Sequence, residues 1–136
     1  MKIALVGPDY FGYAESAANA LKQSGHETAC FSYPDYVDAG ILAAVKYSVL
    51  PRLGWCGLAE QYRNRVNDKL LGWSKKQKAD LLFVIKGKLL SLETLFDVRE
   101  QIKASTAALW TFDYLKQVPE ILKIVPCFDR IFLFEK

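Results

Sequence analysis

The sequence predicts an α/β protein, an open, parallel, five-stranded Rossmann-like sheet in the order 3-2-1-4-5 with helices on both faces. Three observations predict it. Short apolar runs recur along the chain, helix-forming stretches separate them, and glycine, proline or aspartate marks nearly every junction. Strands alternating with helices are the pattern of a parallel sheet. At 136 residues the chain is expected to form one domain, 1–136, with one core.

Lys2 to Val6 (KIALV) reads as a buried strand, ended by Gly7 and Pro8. Ala14 to Ser24 is rich in helix formers, repeats apolar residues at Ala17, Ala20 and Leu21, and stops at Gly25. Glu27 to Tyr33 (ETACFSY) is the second strand, closed by Pro34 and Asp35. Ala39 to Leu50 and Leu58 to Trp73 both read as helices, split by Pro51 and by Gly54 to Gly57. In the second, Leu58, Tyr62, Val66, Leu70 and Trp73 share one face.

Leu81 to Lys86 (LLFVIK) is a continuous apolar run, as expected of a strand covered on both faces. Ser91 is a good N-cap for a helix over Leu92 to Ala104. Thr106 to Phe112 is the fourth strand, Pro119 to Ile124 a short helix with proline in its first turn, and Arg130 to Phe134 the fifth strand. Ligands of such sheets sit beyond the carboxyl ends of the strands, where the order reverses. The expected functional rim is therefore the loops after strands one and four, GPDYFGY and FDYLKQV.

Composition narrows the function classes. About half the residues (51%) are apolar and 24% charged, which excludes a disordered chain. Cys30, Cys56 and Cys127 are scattered in apolar stretches without a CxxC pair, and there is one histidine, so no metal site is expected. Buried free thiols favour a reducing compartment, and the short N-terminal apolar run is too brief for a signal segment; the expected location is the cytoplasm. Net charge is +3, but 39–78 holds eight basic residues against Glu60 and Asp68. A solvated helix face is the default reading; a peripheral contact at the inner face of a membrane, aided by Trp55 and Trp73, is the second. Nucleic acid is not expected, since no reading motif accompanies the charge.

KIALVGPDYFGYAESAANALKQSGHET resembles the N-terminus of GT-B glycosyltransferases. ADLLFVIKGKLLSLETL, ALWTFDY and FDRIFLFEK resemble, in order, the third-, fourth- and fifth-strand segments of the CgeB-type (spore maturation protein-like) members. That family often has two adjacent aspartates after the strand-four tryptophan, whereas here Asp113 is followed by Tyr114. The resemblance implies the acceptor-side half of a hexosyltransferase-class enzyme, with the nucleotide-sugar donor bound by a second half beyond Lys136, and no transfer without it. A stand-alone, non-catalytic binding or assembly module on the same fold is the alternative.

The expected ligand is a sugar or glycan acceptor. Gly7 and Gly12 bracket a turn able to present backbone N–H groups to it, and Asp9 in that turn is either a hydroxyl acceptor and general base or a helix cap. Asp113, beside Trp110 and Tyr114, is the other candidate catalytic carboxylate, with the aromatic faces suited to a sugar ring. Tyr10, Phe11 and Tyr13 offer a similar platform, although packing serves equally well. His26, after Gly25, is read as structural, and Lys86 either neutralises a charged ligand or solvates a strand end. The apolar fifth strand, 130–134, is expected to meet a second copy or a partner domain. A phosphoacceptor receiver would need a carboxylate at the end of strand three, where Ile85, Lys86 and Gly87 stand. A dinucleotide oxidoreductase would need a glycine fingerprint that is missing.

Overall fold

The structure is a computed structural model describing residues 1–34, 45–49, 53–54, 57–112 and 119–133. Its frame is one five-stranded, all-parallel sheet of β1 (Lys2–Pro8), β2 (Glu27–Tyr33), β3 (Leu81–Ile85), β4 (Thr106–Thr111) and β5 (Arg130–Leu133). The helices are α1 (Tyr13–Gln23), α2 (Gly57–Ser74), α3 (Leu92–Ile102) and α4 (Pro119–Leu122). A π-helical turn spans Val45–Val49 and a 3-10 turn Val125–Cys127. The rest of the expected helix over 39–50 lies outside the described residues.

The fold class agrees with the sequence, but the strand order is β2-β1-β3-β4-β5. The reason is burial. β1 is covered from Ile3 onward and so needs a strand on each side, whereas β2 carries Glu27, Thr28 and Ser32 and is mostly half-exposed, as suits an edge. β3 therefore pairs with β1, Ile3 opposite Leu81 and Val6 opposite Val84. The reversal of strand order falls between β1 and β3, which moves the loop after β3 to the centre of the rim.

Two apolar layers flank the sheet. On one face Val66 and Leu70 of α2, Leu95, Val98 and Ile102 of α3, and Ile121 of α4 pack on Ala4, Val6, Leu82, Val84 and Leu109. On the other, Ala14 and Ala18 of α1 pack on Leu5 and Ile85. Gly7 lies within β1, opposite Ser32, and a Cβ there would stand 3.2 Å from Ile85 Cβ and 3.6 Å from Ala14 Cβ. Its lack of a side chain lets α1 seat on the sheet. Gly7 thus lies inside the strand, where a turn bracketed by Gly7 and Gly12 was expected.

Helix ends follow local chemistry. The Ser91 hydroxyl accepts from Thr94 N–H at 3.1 Å, the expected N-cap. α1 ends in a Schellman pair, Gly25 N–H to Lys22 O and His26 N–H to Leu21 O, with Gly25 at φ 84°. His26 is thus part of a helix stop. α3 ends in the same way, but with Lys103 in the left-handed position at φ 60°.

At the N-terminal edge of β4 and β5, Arg99 of α3 donates to Cys127 O at 2.9 Å, Ser105 O at 3.1 Å and Asp129 Oδ2 at 2.6 Å. Asp129 also accepts from Ala107 N–H at 2.8 Å. That backbone bond, with Arg99 beside it, holds the Asp129 carboxyl below its ordinary value. Burial pushes the Cys30 and Cys127 thiols up, which keeps them protonated and unreactive. Cys56 lies outside the described residues.

Candidate functional site

The site is built where β1, β3 and β4 end. After β1, Asp9 N–H donates to Tyr33 O at 2.7 Å, extending the pairing with β2 by one residue. The chain then reverses at Tyr10 to Tyr13, closed by Tyr13 N–H to Tyr10 O at 2.9 Å. Both central residues are left-handed, Phe11 at φ 48° and Gly12 at φ 71°, which makes this a type I′ turn. Glycine adopts that conformation freely; phenylalanine does not. The turn holds the Phe11 ring out, 84% exposed.

After β3 the chain turns more sharply. Lys86 N–H continues the sheet by donating to Trp110 O at 2.8 Å, while Gly87 N–H reaches back to Ile85 O, also at 2.8 Å. With Lys86 at φ 61°, this is a γ-turn centred on a left-handed lysine, a rare and strained form. Gly87 follows at φ 70°, and a Cβ on it would stand 2.5 Å from Ile124 Cδ1 and 3.3 Å from Val84 Cγ1. Asn67 of α2 steadies the loop from below, its amide donating to Leu89 O at 3.0 Å and its oxygen accepting from Ser91 N–H at 2.9 Å.

These two turns bring a cation and a set of rings together. The Lys86 ammonium lies 4.7 Å from the Tyr10 ring centroid and 4.3 Å from that of Phe112. Tyr10 meets Phe11 edge-on at 5.1 Å. Phe112 is 5.7 Å from Trp110 and 6.2 Å from Tyr13. An aromatic pair and a group of three rings are thus joined through one lysine. Tyr13 and Trp110 remain 54% and 36% exposed, so the outer faces are open to a ligand.

The expected site residues fare differently. Tyr10, Gly12 and Trp110 gather at this rim, and Asp9 stands exposed beside them. Asp9 does not cap α1: the N-cap is Gly12, without a side-chain bond. Trp110 lies within β4, as expected, opposite Phe132. Asp113 and Tyr114 lie outside the described residues. The sequence gives no sign of Asn67, places Phe112 in the rim without a role, and leaves Lys86 with two readings at the end of strand three. The signal was its place: in the observed order, the strand-three loop is the one at the reversal.

Among the described residues no cluster of His, Cys, Asp and Glu could hold a metal ion, and no helix is long and apolar enough to cross a membrane. Trp73 packs on Phe31 at 5.6 Å and the Tyr62 hydroxyl donates to Pro34 O, so two aromatics of the basic segment serve the core. A concavity of about 300 Å³ between α2 and the start of α3 is lined by Arg63, Glu60, Asp68 and Glu93 among others, charges of both signs.

No family model matches this sequence, and no curated protein matches it. Among solved structures, a response regulator from Thermotoga maritima is similar, with a TM-score of 0.52 and 14% identity over 100% of this chain and 87% of that one. These findings overturn the resemblance to GT-B, CgeB-type glycosyltransferases, and with it the glycosyltransferase function read from that resemblance. The matched segments were the apolar strands and their flanks, and strands buried on both faces are written in much the same residues whatever the family. At this identity the likeness shows a shared fold, the doubly wound sheet in the order 2-1-3-4-5.

Proposed function

We propose that the chain is a non-catalytic recognition module on a response-regulator-like fold, which takes a sugar-sized ring at the β1–β3 reversal. The observation that carries this is the set of rings Tyr10, Phe11, Tyr13, Trp110 and Phe112 around the carboxyl ends of the central strands. An aromatic face binds the apolar face of a sugar ring, and Asp9 supplies an acceptor for its hydroxyls. Phosphoryl transfer has no place in this reading, because the end of β3 offers Ile85 and Lys86 where an acceptor carboxylate would be needed.

The test is a titration with glucose, galactose and N-acetylglucosamine, followed by amide shifts. Saturable shifts confined to 9–13, 86–87 and 110–112 are expected. Shifts confined to the opposite edge of the sheet, or none at all, would end the reading. Incubation with acetyl phosphate tests the non-catalytic part, and a mass gain of one phosphoryl group would contradict it.

A second reading attaches to β5. Ile131, Phe132 and Leu133 are exposed on both faces of an edge strand, a standing template for another strand. A second copy fits: antiparallel pairing about Phe132 sets the two Phe132 rings opposite each other and keeps the Arg130 charges roughly 13 Å apart along the strands. Sedimentation should show a dimer that Phe132→Lys dissociates. A concentrated monomer would remove this reading.

A further inference from the structure

We infer that the outer side of α2 docks on an anionic membrane surface, with Arg65 and Lys69 meeting the lipid headgroups and Val49 and Leu53 entering the boundary of the acyl layer. The inference is independent of the rim, and no residue of the rim takes part in it.

Its first support is how α2 sorts its charges. Glu60, Arg63 and Asp68 line the concavity against α3. At 3.6 residues per turn, Arg65 and Lys69 stand one above the other, about 120° round the helix from the line through Glu60 and Asp68. Lys75 and Lys76 extend the positive charge just past the helix end at Ser74. All four basic side chains are exposed, and among the described residues none makes an ion pair or a side-chain hydrogen bond. The acids are drawn towards α3, and the basic groups face water unpaired.

The second support is the apolar surface beside that charge. The sheet lies beneath α2 and α3 lies along one flank, yet the 45–49 turn also packs on α2. On the other flank the Tyr62 hydroxyl donates to Pro34 O, at the end of β2, from which the chain runs on to 45–49. The turn is thereby set on the side of α2 that carries Lys69, two turns on from Tyr62. There Val45 and Val49 are 44% and 45% exposed, and Leu53, between the turn and α2, is 71% exposed. Trp73, which the sequence offered for a membrane contact, packs on Phe31 instead. The aliphatic residues before α2 take its place.

The third support is the match to one partner. Unpaired basic groups select an anionic surface, and the exposed aliphatic residues decide which. Nucleic acid offers phosphates without an apolar phase beside them; a bilayer offers both, and interfacial binding grows with buried apolar area and with attraction to anionic lipid. Each basic group near such a surface adds about fivefold to affinity, which gives reversible attachment of the folded domain.

The experiment is sedimentation of the full chain with vesicles of phosphatidylcholine alone and of phosphatidylcholine with about 30% phosphatidylserine. Binding to the anionic vesicles alone is expected, falling steeply between about 0.05 and about 0.5 M salt. Arg65→Gln with Lys69→Gln should weaken it about thirtyfold. Leu53→Ser should weaken it about fivefold. Lys22→Gln, on α1 across the sheet, should leave it unchanged. No binding to anionic vesicles at low salt, equal binding to neutral ones, or a folded double variant that binds as the native chain does overturns the inference. A loss in Lys22→Gln as large as that of the double variant overturns it too, since net charge rather than this face would then hold the vesicles. A DNA duplex bound as tightly as the vesicles, or Leu53→Ser without effect, makes this a phosphate-binding face and overturns the membrane as its partner. Circular dichroism of each variant separates loss of binding from loss of fold.

Discussion

Lys86 and Lys103 both carry a positive φ, 61° and 60°, at opposite ends of the same sheet. Lys103 closes α3: its N–H bonds Glu100 O, the N–H of Ala104 bonds Arg99 O, and its side chain is exposed. A glycine would close that helix better. Lys86 also sits where glycine fits best, but its side chain is half-buried and held between two rings. Strain alone therefore marks nothing. The two edges differ accordingly, a polar lock of Arg99 and Asp129 at one and a ring of aromatics about one cation at the other.

The largest expected effect tests how firmly the rim loop is built. Gly87→Ala forces a left-handed alanine and a methyl against Ile124 and Val84, and should cost about 2–3 kcal/mol. Gly12→Ala has a similar φ but nothing within 4 Å of the new methyl, so about 1 kcal/mol is expected. Urea unfolding of both measures the difference. Equal costs would show that Ile124 moves aside and that the loop is not clamped.

Acid should distinguish the two edges next. The Asp129 carboxyl is held below its ordinary 3.8, first by the Ala107 N–H and then by Arg99. A depressed folded value means the folded state favours the ionised form. The stabilisation is thus complete above 3.8 and is lost as pH falls below it towards the folded value. The melting temperature of the native chain should drop through that window, and that of Asp129→Asn, already lower at neutral pH, should drop less. Parallel curves would remove Asp129 from the lock.

How far these regions were legible depended on whether local or long-range forces set them. The elements were legible, because apolar runs, Ser91 and Gly25 carry local signals. Strand order was less so, though the polar residues of β2 already argued for an edge. The rim was half-legible. Tyr10 and Trp110 were read from their strand ends, but Lys86 gains its role only because β3 lies beside β1, and Phe112 only because it meets that lysine. Pairing between distant strands decided both. The family resemblance failed for the converse reason: buried parallel strands look alike in sequence because burial, not function, selects their residues.

A smaller effect follows from Lys103. Lys103→Gly should stabilise the chain by about 1 kcal/mol, since it relieves the left-handed conformation and removes no contact of an exposed side chain. A loss of stability would mean that its side chain does something not seen at this helix end.

Lys86→Gly should change stability least. Relief of the turn is worth about 1–2 kcal/mol. Against it stands the loss of two ring contacts, about 0.5–1 kcal/mol each, and of the stem packed between them. These losses oppose the relief, so the variant should gain little or no stability over the native chain. Its gain should fall clearly short of that of Lys103→Gly. If both lysines gave the same gain, the rings would contribute nothing to holding Lys86, and its position would be as incidental as that of Lys103. If Lys86→Gly gains less, then contacts of the side chain, the two rings among them, offset the strain of the turn that carries it.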